Sequence, residues 1–215
     1  RVLAPPKDIA EVKNAYEIYD HLAELNPYSI DDLLLAHRTM MQGLVHEAGE
    51  FRSRPVGVVD NQGNVLHFGT LPQYVPYLME ELVQWTESSP FPLLIKSCVF
   101  HYEFEVIHPF ADGNGRIGRL WHTLLLSKWN PLFAWLPIES IIHDHQVEYY
   151  AAINQSNAQG EGTAFIEFML GIIKEALQEA IDEQPAEKPS MQSKEELRWE
   201  KIADFLRTNL SLIHI

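Results

Sequence analysis

At 215 residues with 46% apolar side chains, the chain is globular rather than disordered, and it is near the upper size for one domain with a substantial core. A formal net charge of -14 disfavours general nucleic-acid binding through phosphates, and no apolar run approaches membrane-spanning length. The single cysteine, Cys98, excludes an internal disulfide and fits a reducing compartment, so a cytoplasmic setting is expected. No secretory leader is visible, but the chain opens at Arg1 without methionine, so that absence carries little weight.

In chain order the pattern is mostly helical. Asp8 to Leu25 sets Ile9, Val12, Tyr16 and Tyr19 at helical spacing. Ser29 followed by Asp32 marks a helix start ahead of Leu33 to Val45. Pro55 to Thr70 reads as a β-hairpin: Val56-Gly57-Val58-Val59-Asp60 and Val65-Leu66-His67-Phe68-Gly69 flank Asn61-Gln62-Gly63-Asn64. Pro72 to Glu87 predicts a helix with Leu78, Leu82 and Trp85 on one side. Pro92 to Ile107 predicts a buried helix that Pro109 cannot continue. After Gly115, the row Ile117, Leu120, Trp121, Leu124 and Leu125 predicts a second core helix. Trp85, Trp121, Trp129 and Trp135 are expected as core or pocket-wall residues.

Pro131 and Pro137 break the chain, and Ile138 to Asn157 and Thr163 to Asp182 predict two further helices. Gln184 to Ser190 is the only linker-like stretch, and Ser193 to Thr208 is again amphipathic. The fold class is therefore mainly α with one small β-hairpin. His143, Asp144 and His145 are spaced too closely for a helical metal pair, and a solvated helix start is the default reading there.

The chemistry concentrates in His108-Pro109-Phe110-Ala111-Asp112-Gly113-Asn114-Gly115-Arg116-Ile117-Gly118-Arg119, between the two core helices. A glycine-rich turn entering a helix presents several backbone N–H groups to one anion. Arginines add fixed charge and forked donors. Asp112 is a hard oxygen donor suited to magnesium. His108 titrates near neutrality and can accept a proton from a hydroxyl. Each piece alone is weak; together they suit holding a polyphosphate while a proton moves.

The segment resembles the signature of the Fic domain family, HxFx[DE]GNGRxxR, with every fixed position present from His108 to Arg119. Gly49-Glu50-Phe51-Arg52 is similar to the family's Gly-x-Tyr-Arg segment ahead of its flap. Tyr149-Tyr150 and Asn157 are similar to its adenine-side residues, and Thr163 to Leu170 to the helix that closes the domain. The resemblance spans residues 8–182. It implies a Fic-type helical domain over residues 1–184 with a flap at 55–70, a linker at 185–192 and a C-terminal helical segment at 193–215. In some Fic proteins such a segment begins a winged helix. Here residues 194–207 hold four basic and four acidic side chains, so no basic stripe supports DNA binding.

The resemblance further implies transfer of AMP from ATP to a Tyr, Thr or Ser hydroxyl of a target protein, the chain itself included. His108 would be the general base, and Asp112 would hold magnesium or manganese. Gly113, Asn114 and Gly115 would cradle the phosphates, with Arg116 and Arg119 on the β and γ groups. Tyr149, Tyr150 and Asn157 would line the adenine end. The flap residues Val65, Leu66, His67 and Phe68 would hold the target by strand addition. Transfer of phosphate or phosphocholine, removal of AMP, and a regulatory module stand as alternatives; homodimerisation is open. An inhibitory [ST]xxxE[GN] helix is expected upstream of Arg1. Within the chain only Thr163 with Glu167 fits its spacing, and Phe168 follows where glycine or asparagine is needed.

Overall fold

The computed structural model describes residues 5–59 and 65–182, with eight α-helices and one two-stranded sheet among them. Helix α1 (Pro6–Asp20) starts on a proline, whose missing N–H has no intrahelical partner to lose. The sequence predicts one helix to Leu25, but α1 stops at His21 and a short 3-10 turn, Leu22–Glu24, follows. Its rotation also differs from the apolar spacing: Glu11, Asn14 and Ile18 are buried, whereas Ile9 is 44% exposed. Asn14 supplies the reason, since its Nδ2 donates to the carbonyls of Met40 and Gln42 and ties α1 to the end of the next helix.

Helix α2 (Ile30–Met40) carries the expected cap, with Ser29 Oγ accepting from Asp32 N at 3.1 Å. It ends four residues or more before Val45, in a turn where Gly43 takes φ 74°. Strands β1 (Gly57–Val59) and β2 (Val65–Phe68) pair antiparallel, with Gly57 opposite Phe68, Val58 opposite His67, and a register shift before Val59 meets Val65. A 3-10 turn at Pro72–Tyr74 leads into α3 (Val75–Ser88).

Helices α4 (Leu93–Ile107) and α5 (Asn114–Trp129) form the centre as an antiparallel helical hairpin. Gly118 lies against Glu105, and the rings of His101 and His122 meet at 5.4 Å. Helix α4 has no single apolar stripe because it is covered on two sides. Phe100, Phe104 and Ile107 join α1 to α3 and α5 in one apolar cluster; Cys98 and Tyr102 join the last three helices in another. Those are α6 (Ile138–Asp144), α7 (Gln146–Gln159) and α8 (Thr163–Asp182). The single helix predicted from Ile138 to Asn157 is broken at His145, which lets α6 and α7 each lie on α8.

The tryptophans divide. Trp121 is fully buried, and Trp85 is partly so. Trp129 and Trp135 are 51% and 57% exposed, against the expectation of core positions. Trp129 is the last residue of α5, where Pro131 turns the chain outward, and it stacks on Phe133 instead. His143 Nδ1 lies 3.0 Å from Asp144 Oδ1 and His145 Nε2 3.2 Å from Glu175 Oε2, and among the described residues no cluster of three acids, histidines or cysteines is placed for a metal. No helix of the described residues is long and apolar enough to cross a membrane. The expected linker and C-terminal helical segment lie outside the described residues.

Trp121 Nε1 donates to the carbonyl of Pro27 at 3.0 Å, locking α5 to the loop before α2. Trp121→Phe should cost about 2–3 kcal/mol in urea unfolding, from the lost volume and an orphaned buried carbonyl. A cost below about 0.5 kcal/mol would show that this bond does not hold the core.

Candidate functional site

Helix α4 ends at His108, whose backbone is left-handed at φ 52° and ψ 63°. It is the one residue other than glycine with positive φ among the described residues, and its N–H still closes onto Phe104 O at 2.9 Å. A bulky side chain in this region costs on the order of 1–2 kcal/mol, so neighbouring contacts have to hold it. Pro109 then blocks any return to helix. The His108 ring lies by the last turn of α4, with Nδ1 3.8 Å from Glu105 Oε2.

The strongest hold comes from Arg52, only 2% exposed. Its Nε donates to His108 O at 2.6 Å and its Nη2 to Ile107 O at 3.2 Å. Nη1 donates to Arg54 O at 2.9 Å, and Nη2 also to Thr70 O. Arg52 N donates to Pro109 O at 3.0 Å. The positive fork therefore sits on the negative end of α4, where the last carbonyls lack helical partners.

The connection from His108 to α5 is braced from below. Phe110 is fully buried and stacks on the His37 ring at 3.7 Å. Asn114 turns its side chain inward: Oδ1 accepts from Phe110 N and Nδ2 donates to Phe110 O, both at 2.8 Å. Asn114 thus fixes the loop with its side chain, and only its backbone faces outward. His37 Nδ1 accepts from Gly49 N at 2.8 Å, which leaves the proton on Nε2 to donate to Asp112 O at 2.9 Å. Gly113 takes φ 85° with Met41 Sδ where a Cβ would be, at 2.6 Å.

Helix α5 starts with no side-chain cap and no acid in its first turn. Its first intrahelical bond is Ile117 N to Gly113 O, so the N–H groups of Asn114, Gly115 and Arg116 precede the ladder and the positive helix end is open to an anion. Arg116 Nη2 lies 3.6 Å from Asp112 Oδ1 and its Nη1 4.0 Å from Glu11 Oε1 of α1. Arg119 folds back over Gly115, where a Cβ would come within 3.1 Å of Nη1, and its Nε is 3.9 Å from Glu139 Oε2 of α6. Burial pushes the Glu139 carboxyl up to about 8, and that of Glu105 up to about 7 against the pull of Arg119. Glu11, Glu105, Glu139 and His37 escape the sequence reading. Their one signal is a polar residue set in an apolar helix row, which does not say what it meets.

Tyr149 is deeply placed. It is 5% exposed, bonded through its hydroxyl to His101 Nε2 at 3.2 Å and packed on Phe165. Tyr150 and Asn157 keep partial exposure; Asn157 Oδ1 accepts from the Tyr102 hydroxyl at 3.0 Å. Of Val65, Leu66, His67 and Phe68 the structure describes the β2 backbone. Asp112 is half exposed, with Oδ1 accepting from Gly113 N at 2.6 Å. One exposed carboxylate beside an open helix N-terminus fits magnesium, which takes most of its ligands from water and phosphate.

Residues 27–126 match the family model described as Fic/DOC family. The chain is 33% identical over 147 residues to the protein adenylyltransferase Fic of Nematostella vectensis, covering 66% of this chain and 31% of that protein. It is 30% identical over 152 residues to the protein adenylyltransferase fic-1 of Caenorhabditis elegans, covering 68% of this chain and 27% of that protein. The chain thus spans less than a third of either relative. The crystal structure of a Fic family protein from Desulfovibrio desulfuricans G20 superposes with a TM-score of 0.82 at 45% identity, covering 87% of this chain and 58% of that one.

His37 gives the site a pH signature. Burial holds its pKa at about 4 in the fold against 6.5 for a free ring. Because the folded value is the lower one, the stability it lends is complete above pH 6.5 and declines as pH falls toward 4. His37→Phe keeps the stack on Phe110 but drops both hydrogen bonds, so it should be less stable than wild type at pH 7. In urea unfolding that gap should narrow by about 2 kcal/mol at pH 4.5. A gap independent of pH would mean that His37 is not held neutral.

Proposed function

This chain carries a Fic/DOC family domain, and we propose that it transfers AMP from ATP to a hydroxyl of a protein. The observation that carries the reading is the turn itself: a left-handed His108 ends α4 six residues before the uncapped N-terminus of α5, Arg116 lies by Asp112 and Arg119 folds over Gly115. The names of the relatives point to the same reaction, and the site contains the groups that reaction needs.

The reaction needs three things of the chain. The triphosphate must be held with its α-phosphorus exposed, which falls to the N–H groups of Asn114, Gly115 and Arg116 and to the two guanidinium groups. The attacking hydroxyl must lose its proton, which His108 accepts as the new O–P bond forms. The departing pyrophosphate must be stabilised as the P–O bond breaks, which the same N–H groups and arginines do by charge already in place. Magnesium, held by Asp112, supplies further neutralisation of the phosphates when bound.

The partner in this reading is a protein segment bearing a Tyr, Thr or Ser hydroxyl. The two-stranded sheet leaves a strand edge for it, and backbone pairing along Val65-Leu66-His67-Phe68 registers an extended peptide whatever its side chains. The chain's own hydroxyls are acceptors in the same way, and a cytoplasmic setting suits the ATP requirement. Tyr150 and Asn157 remain the adenine-side groups, with Tyr149 supporting them from within the core. A glutamate from a segment upstream of Arg1, where present, would compete for Arg119.

His108→Ala should lower label transfer from α-labelled ATP by on the order of 10²–10⁴ while ATP binding measured by calorimetry persists. Wild-type transfer in that variant would remove His108 from the chemistry. Asp112→Ala should reduce both the rate and its dependence on added magnesium. Full activity of the wild-type chain in excess chelator would show that no such ion takes part.

A further inference from the structure

We propose that Arg52 is a positioning residue that locks the base and the root of the hairpin into one rigid unit, so that a peptide registered on β2 arrives at a fixed distance from His108. The inference rests on reading His108 as the base. Arg52 is not one of the residues assigned to the nucleotide. Among the described residues, its side-chain hydrogen bonds go to backbone carbonyls: His108 and Ile107 on one side, Thr70 and Arg54 on the other. The first pair belongs to the end of α4; the second pair bounds the hairpin, since Thr70 follows β2 and Arg54 precedes β1. Burial opposes its charge, and the guanidinium stays protonated because its intrinsic basicity is so high. Only a planar fork with five donors spans both pairs from one point; an ammonium does not.

A second contact carries the same conclusion. Gly69, the residue between β2 and Thr70, donates to Val56 O at 3.1 Å and closes the hairpin base. A Cβ there would stand 2.8 Å from Arg52 Nη2 and 3.2 Å from His108 Cβ. The hairpin root is therefore pressed directly onto the catalytic turn, with no space for one methyl group. Because the guanidinium is tied on both sides, it cannot swing aside to admit one.

The test uses the 215-residue chain, magnesium ATP and pyrophosphate release, which reports transfer to any acceptor, water included. Arg52→Lys keeps charge but loses the fork. Gly69→Ala keeps Arg52 and inserts the methyl. Each should lower the rate at saturating ATP by on the order of 10–100-fold, the effect of an ångström-scale misplacement, with half-saturating ATP within about threefold of wild type, a fold-change worth under 1 kcal/mol. Rates within threefold of wild type in both variants would overturn the proposal. So would a parallel loss of ATP affinity and thermal stability, or failure of Arg52→Lys to fold with Gly69→Ala fully active, because Arg52 would then be a structural residue only. His108→Ala run alongside separates the two claims. If it releases pyrophosphate like wild type, the base assignment fails; if it is inactive while Arg52→Lys and Gly69→Ala are normal, only the positioning role fails.

Discussion

The reversal between α4 and α5 has to satisfy its own buried backbone groups without using the N–H groups at the start of α5. A buried amide or carbonyl left unpaired costs about 1–3 kcal/mol, so the loop must find partners somewhere. It finds them in side chains arriving from other elements. Asn114 takes both backbone groups of Phe110, His37 takes Asp112 O, and Arg52 takes the carbonyls of Ile107 and His108. With the underside satisfied in this way, the donors of Asn114, Gly115 and Arg116 are left outside the bracing, ahead of the first bond of the α5 ladder. The left-handed turn at His108 persists for the same reason: the groups on either side of it are already engaged.

The charge arrangement follows from the same economy. The chain as a whole is strongly acidic, at a formal -14, yet its site is built on fixed positive groups. Each arginine of the signature has an acid near it, the buried Glu11 for Arg116 and the partly buried Glu139 for Arg119, at 4.0 and 3.9 Å. Both separations are too long for hydrogen bonds, so these pairs do not tie up the guanidinium donors. Glu105, one turn before His108, lies among His101, Arg119 and His108, with its Oε1 without a hydrogen-bond partner among the described residues. Burial raises Glu105 to about 7 and Glu139 to about 8, which limits how far their carboxylates cancel the positive field at the start of α5.

Much of this was legible in the order of residues. The helical regions were placed, because apolar spacing reports burial of one face. The signature loop was placed because Pro109 and the glycines can act only as helix stops and close approaches. Errors came where polar contacts outvoted apolar spacing. Asn14 rotates α1 away from its apolar row; the break at His145 serves packing on α8. Trp129 and Trp135 look like core or pocket-wall residues by type, but both are more than half exposed, and it is Phe133 between them that enters the core.

By itself, then, the sequence determined which groups the candidate site contains: a histidine, a carboxylate, a glycine-rich helix entry and two arginines within twelve residues, a spacing short enough to keep them near one another. Tertiary structure alone decided how those groups are held. Arg52 lies 56 residues from His108, Glu11 far ahead of Arg116, and His37 75 residues from Asp112. Their partners are chosen by how helices pack, and no local pattern in the chain encodes a hydrogen bond across that separation.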